Sequence, residues 1–138
     1  MNRAIGIERK DAATPGVERQ AFDYVILSRT LQETRHPLHV LHEMLRVGCR
    51  AIMAFPNFGH WSVRLSTLLS GRAPKTRPFP YEWYDSPNIH FLTVEDFEQF
   101  ARQESLAIER RHCLSGHRRI QVLPNLRADA TVFLVRAR

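Results

Sequence analysis

Three short segments of this chain are apolar at nearly every position: Phe22–Leu27, Ala51–Phe55 and Ala130–Val135. A strand with one wet face alternates apolar and polar residues, so runs this continuous read as strands buried within a sheet. Between the first two, Pro37 suits the first turn of a helix, where its missing N–H is not needed. Leu38, Leu41 and Leu45 then recur at spacings of three and four and give one apolar stripe. Arg46 suits the negative end of the helix dipole, and Gly48 reads as its stop. Beyond the second strand, which ends at Pro56-Asn57, residues Trp61, Leu65, Leu68 and Leu69 fall on one helical face that closes at Gly71. Thr93 and Asp96 have capping-box spacing, with Asp weaker than Glu in the last position. Val94, Phe97, Phe100 and Ala101 supply the buried face of that helix to about Glu104. Leu106–Cys113 reads as a half-exposed strand, followed by a turn at Ser115-Gly116 and a weakly paired Ile120–Leu123. Strands alternating with helices imply an α/β sheet, and the last strands imply one antiparallel member.

Length and charge narrow the classes. The 138 residues allow one domain. Residues 1–20 read as an irregular N-terminal segment, with a short strand near Arg3–Glu8 and a turn at Pro15-Gly16; residues 21–138 form the folded domain. Twenty Lys and Arg against fourteen Asp and Glu give +6, which raises a nucleic-acid reading. The basic clusters at Arg72–Arg77, Arg110–His112 and His117–Arg119 are short and carry no RRM, KH or zinc-finger pattern, so a solvated basic surface is the better reading. The apolar runs are far short of a membrane span, and the N-terminus lacks the apolar core of a secretory signal. Cys49 and Cys113 form no CxxC pair and read as reduced thiols of a cytoplasmic protein.

No metal site is expected. His36, His39 and His42 recur every three residues, but the outer two lie well round a helix from each other, and His112, Cys113 and His117 lack a fourth ligand. The six glycines are scattered, so there is no GxG turn, P-loop or dinucleotide fingerprint. Ligands of open α/β sheets sit beyond the carboxyl ends of the strands. That places Ser28, Thr30 and Gln32 after the first strand, and Asn57 and His60 after the second, as candidates for hydrogen bonding or general-base work. Capping of the following loop or helix is the alternative. The segment Pro80–Phe91 gathers Tyr81, Trp83, Tyr84, Asp85, Asn88 and His90. Aromatics with polar tips suit a binding lid or partner surface; a hydrophobic plug over the core is the other reading.

Three separated stretches, in order, resemble the MetW family of methionine biosynthesis proteins: Phe22-Asp23-Tyr24-Val25-Ile26-Leu27-Ser28-Arg29-Thr30-Leu31-Gln32, Phe55-Pro56-Asn57-Phe58-Gly59-His60-Trp61, and Pro80-Tyr81 through Asn88-Ile89-His90 with Thr93 and Phe97. The resemblance covers residues 21–115 well and the last strand more loosely. It implies a class I S-adenosylmethionine-dependent methyltransferase-like (Rossmann-like) fold, with sheet order 3-2-1-4-5-7-6 and strand 7 antiparallel. Phe22–Leu27, Ala51–Phe55, Ala130–Val135 and Leu106–Cys113 would be its strands 4, 5, 7 and 6, a truncated C-terminal part of that fold. The family's first strand and glycine-rich cofactor loop have no counterpart. Ile5-Gly6-Ile7-Glu8 faintly resembles the end of strand 2, with Glu8 on the ribose hydroxyls. Without strand 1, the Phe22–Leu27 edge is expected to be bare and to invite self-association or another chain.

The resemblance further implies work in methionine biosynthesis beside the homoserine O-acyltransferase, MetX, as a supporting subunit. The alternative is an S-adenosylmethionine-dependent methyltransferase acting on a small molecule. In that case Ser28, Thr30 and Gln32 face the cofactor, and His60, Asp85 or His90 deprotonates the substrate. The lost glycine loop argues against autonomous catalysis. Under either reading Asn57, Trp61, Tyr81, Trp83, Tyr84 and Asn88 belong to the substrate or partner loop.

Overall fold

A computed structural model describes residues 16–138 and, before them, the backbone of residues 4–6. Six strands form one sheet: β1 (Ala4–Gly6), β2 (Phe22–Ser28), β3 (Gly48–Pro56), β4 (Leu106–Ser115), β5 (Arg118–Ile120) and β6 (Ala130–Ala137). Their spatial order is β1-β2-β3-β6-β4-β5. The β1–β2 and β2–β3 pairs are parallel, whereas β6 runs antiparallel to both β3 and β4. Central β2-β3-β6-β4 thus has the expected 4-5-7-6 arrangement, with the antiparallel strand where it was expected.

The edge of β2 differs from expectation. It is not bare, because β1 pairs with it, Ala4 to Tyr24 through Gly6 to Ile26. β1 therefore takes the place of strand 1, beside strand 4, and not that of strand 2. Glu8 lies outside the described residues. At three residues β1 is a short edge, which offers little template for another chain.

Val25 and Leu27, Ala51, Met53 and Phe55, and Thr131, Phe133 and Val135 are the buried side chains of the three central strands. They share one face, since side chains alternate along a strand. Helices α1 (Pro37–Val47) and α3 (Val94–Gln103) contribute to the same core. α1 buries Val40, Leu41, Met44 and Val47, while Leu38 of the expected stripe is exposed and Leu45 only partly covered. The helix is rolled from its leucine stripe because the β-branched and methionine positions meet the sheet. α3 has the expected box: Thr93 N donates to Asp96 Oδ2 at 2.9 Å, and Asp96 N to Thr93 Oγ1 at 3.1 Å.

Gly48 ends α1 for a reason other than the usual one. Its φ is −119°, ordinary extended backbone, and its N–H donates to the Met44 carbonyl as β3 begins at once. A Cβ there would lie 2.5 Å from Val25 Cγ2 and 3.1 Å from the Met44 carbonyl oxygen. Gly48→Ala is therefore expected to cost about 1–3 kcal/mol by overpacking, read from urea unfolding midpoints. An unchanged midpoint would mean that α1 and β2 separate freely.

Two elements near the C-terminus depart from expectation. A two-residue turn at Gly116-His117 pairs Ser115 with Arg118, so β5 starts at once and ends at Ile120. Residues 121–123 leave the sheet and enter a short helix, α4 (Pro124–Arg127), that periodicity did not show. In β4 a bulge leaves Glu109 without a partner in the ladder, and its carboxylate meets Arg50 at 2.8 Å and Arg136 at 2.9 Å.

Candidate functional site

The residues after β3 hold the most heavily engaged of the candidates. Asn57 is fully buried. Its Nδ2 donates to the carbonyls of Asn125 and Ala128, both at 2.8 Å, and its Oδ1 accepts from Gly59 N at 3.0 Å and Val94 N at 3.3 Å. Its own N–H donates to the Asp129 carbonyl. One side chain thus ties the end of β3 to the first residue of α3 and to α4. Asn125 completes the clamp, because its Oδ1 also accepts from Val94 N at 3.1 Å. Gly59 is required beside it, since a Cβ there would lie 2.7 Å from Asn125 Oδ1. Asn57 has no donor or acceptor left for a ligand, so the capping alternative describes it.

His60 caps the next helix, α2 (Trp61–Ser70). Its Nδ1 accepts from Ser62 N at 3.3 Å and lies 2.7 Å from Ser62 Oγ. A ring nitrogen that accepts from a backbone N–H carries no proton, so the ring is neutral. Burial holds its pKa below the usual histidine value, partly offset by Asp129 and reinforced by Arg77. The folded ring thus gives up its proton more readily than the unfolded one. In the window below pH 6.5 the unfolded chain binds more protons, and stability falls as the pH falls. The expected result is a Tm that drops between pH 7.5 and 5.5 by more in the wild type than in His60→Asn, which keeps a capping oxygen. Equal drops would remove His60 as the cause.

Asp85 and His90 do not join His60. Asp85 lies on an exposed turn, its N–H donating to the Glu82 carbonyl. The His90 and Ile89 N–H groups both donate to the Gln32 carbonyl, at 2.9 and 2.8 Å. These bonds fasten the end of the aromatic segment to the loop after β2. His90 and Asp96 stand among the walls of an otherwise apolar groove of about 260 Å³ formed with Leu31, Leu38, Phe97 and Phe100. The three candidate bases therefore have separate hydrogen-bond partners, His60 at the start of α2 and Asp85 and His90 on the aromatic segment.

The loop after β2 does not make a cofactor cradle. Thr30 Oγ1 donates to the Ser28 carbonyl at 2.9 Å. Gln32 is buried, with Nε2 on the Arg29 carbonyl at 3.0 Å and Oε1 without a partner. A single orphaned acceptor inside its own loop does not match the several groups that a nucleoside and amino acid require. Among the described residues, the set Ser28, Thr30 and Gln32 does not fit S-adenosylmethionine.

The aromatic segment divides between its two readings. Phe79 is a plug: it is buried, its ring 5.2 Å from that of Phe58, and Phe91 closes the group 4.7 Å from Phe58. Tyr81, Trp83 and Tyr84 point outward, the last two edge to face at 5.5 Å. Asn88 is half-buried, with its N–H on Ser86 Oγ. The largest surprise is α2. Trp61, Leu65, Leu68 and Leu69 share the predicted face, yet all four are exposed, and Val63 is the one buried residue of the helix.

Among the described residues, no group of three or more His, Cys, Asp or Glu side chains is placed to hold a metal ion. Cys113 is buried, its Sγ 3.5 Å from Thr131 Oγ1, and Cys49 is exposed. The basic stretch around Arg111 is partly neutralised by an ion pair with Glu98. No helix among the described residues is long and apolar enough to cross a membrane. Sequence reasoning missed Asn125 and the α2 leucines as surface; Pro124 at the start of α4 was the available signal for the former.

Comparison with known proteins gives a consistent picture. A family model described as "Methionine biosynthesis protein MetW" matches residues 1–135. The "Bifunctional methionine biosynthesis protein MetXA/MetW" of Rhodopirellula baltica is 40% identical over 89 residues, 64% of this chain and 14% of that protein. The chain therefore spans about a seventh of this relative. A SAM-dependent methyltransferase of Thermotoga maritima superposes with a TM-score of 0.57 at 12% identity, over 89% of this chain and 59% of its own. A SAM-dependent methyltransferase of Methanosarcina mazei does so with 0.55 at 11% identity, over 93% and 65%. At such identities the superpositions establish the fold alone, a methyltransferase-like α/β sheet.

Proposed function

We propose that this chain, which belongs to the MetW family of methionine biosynthesis proteins, serves as a supporting subunit of homoserine O-acyltransferase, with its methyltransferase-like fold acting as a binding scaffold. The observation that carries this reading is the Rhodopirellula relative, whose name joins MetXA and MetW in one polypeptide. Fusion holds two modules at an effective concentration on the order of millimolar. Where the modules are separate chains, an interface has to supply the same proximity. The engaged state of Asn57 supports a scaffold over a catalyst, because its side-chain donors and acceptor are all taken by backbone groups, and His60 Nδ1 and the Thr30 hydroxyl are likewise turned to local capping bonds.

The methyltransferase reading rests on the fold. Two titrations of the folded chain separate the readings. Homoserine O-acyltransferase from the same genome is expected to bind with micromolar or tighter affinity, and S-adenosylhomocysteine to give no heat of binding. Micromolar binding of S-adenosylhomocysteine with no acyltransferase complex would reverse the conclusion.

A further inference from the structure

The segment between Asn57 and Val94 carries most of the apolar surface that the fold leaves in water. Of the thirteen large hydrophobic residues exposed among those described, nine fall between Trp61 and Phe91. Leu68 and Leu69 are 80% and 76% exposed, and Trp83 and Tyr84 are 77% and 72% exposed. Helix α2 and the aromatic segment are two halves of one excursion from the sheet. α2 leaves three residues after Phe58, and Phe79 and Phe91 return to pack on the Phe58 ring. Scattered single apolar residues on a surface are normal, but Trp61, Leu65, Leu68 and Leu69 lie on one face of one helix, and such a contiguous set marks an interaction site.

Charge says what covers it. From Trp61 to Pro78 there are four cations, Arg64, Arg72, Lys75 and Arg77, and no acidic residue. Lys75 is paired with Glu82, and Arg77 lies 3.9 Å from Asp129. Arg64 bonds the Gly59 carbonyl, and neither it nor Arg72 has a carboxylate within salt-bridge distance among the described residues. A second copy of this chain would bring the same cations against themselves, in a protein that already carries +6. An anionic membrane would meet Glu82 and Asp85, which flank Trp83-Tyr84. A protein surface accommodates both signs, and Trp, Tyr and Arg are the residues that dominate such interfaces.

We infer that the exposed face of α2 is the docking surface for homoserine O-acyltransferase, that the exposed Trp83 and Tyr84 add to it, and that the acyltransferase presents to it an apolar patch rimmed by carboxylates. This rests on the partner reading above and adds the place and the chemistry. The helix keeps its leucines in water in the free chain because the partner buries them.

The test measures the affinity of the purified acyltransferase from the same genome for three forms of the full chain: wild type, the double variant Leu68→Asp with Leu69→Asp, and Val122→Asp. All three changes are at exposed positions, and circular dichroism with a thermal melt confirms folding. The double variant is expected to weaken binding by about 30-fold or more, and Val122→Asp to leave it unchanged. Wild-type affinity is expected to fall as salt rises. If the double variant binds as tightly as wild type, the docking surface lies elsewhere and this inference fails while the partner reading stands. If wild type does not bind at all, both fail. Flotation with phosphatidylglycerol vesicles that the double variant abolishes would then identify a lipid surface as the occupant instead.

Discussion

Asn57→Ala is expected to lower the free energy of unfolding by about 2–4 kcal/mol. Its side chain makes four hydrogen bonds in a fully buried position, and all of its partners are backbone groups. Truncation strands the Gly59 N–H and the carbonyls of Asn125 and Ala128. Each unpaired buried group costs about 1–3 kcal/mol, with water or relaxation recovering part of it. Val94 N keeps Asn125 Oδ1 as its acceptor. The companion change Asn125→Ala removes that single side-chain acceptor, and about 1 kcal/mol is expected. Urea unfolding of both variants checks the ranking. A loss under about 0.5 kcal/mol for Asn57→Ala would mean that the clamp is dispensable and would return Asn57 to the list of ligand-facing residues.

Phe133→Ala is expected to cost about 3–5 kcal/mol and to lower Tm by about 10–20 °C. Phe133 is fully buried on β6, the strand that joins the parallel half of the sheet to β4. Its ring is stacked on Phe55 of β3 at 5.9 Å and lies 4.5 Å from Phe97 of α3, and Phe55 and Phe97 meet at 5.5 Å. These three rings link two strands and a helix, so truncation opens a cavity that none of the three elements can close alone. Phe133→Leu keeps most of the volume and is expected to cost under half as much. Thermal melts of both variants give the comparison. Equal losses would show that ring contacts, not volume, hold the layers together.

What was legible in the sequence depended on whether its cause was local. The apolar runs at Phe22–Leu27, Ala51–Phe55 and Ala130–Val135 lie within β2, β3 and β6, because continuous apolar strands have one good destination. Pro37 opens α1, and Thr93 with Asp96 caps α3, because both act within one turn of chain. The two-residue turn that sets β5 is also local, but the sequence places it at Ser115-Gly116, one residue early, and the strand after it at Ile120–Leu123 instead of Arg118–Ile120. α4 is too short for periodicity to register.

The site was less legible, since the roles of its residues come from partners far away in sequence. Asn57 finds Asn125 and Ala128 about seventy residues on. Gln32 is met by Ile89 and His90. Ser28, Thr30, Asn57 and His60 were placed correctly at the ends of parallel strands, and what they do there was decided by those meetings.

The sequence by itself determined the longer strands and helices, their order and the family they belong to. Each of these is written in short-range periodicity or in motifs that stay contiguous along the chain. Only the tertiary structure decided which partners Asn57 and His60 meet, the backbone of Asn125, Ala128, Gly59 and Val94 for the one and Ser62 for the other. It also decided that the apolar face of α2 stays in water while that of α3 is buried. Amphipathic spacing specifies that a helix has an apolar side; whether anything covers that side depends on what the rest of the chain brings to it.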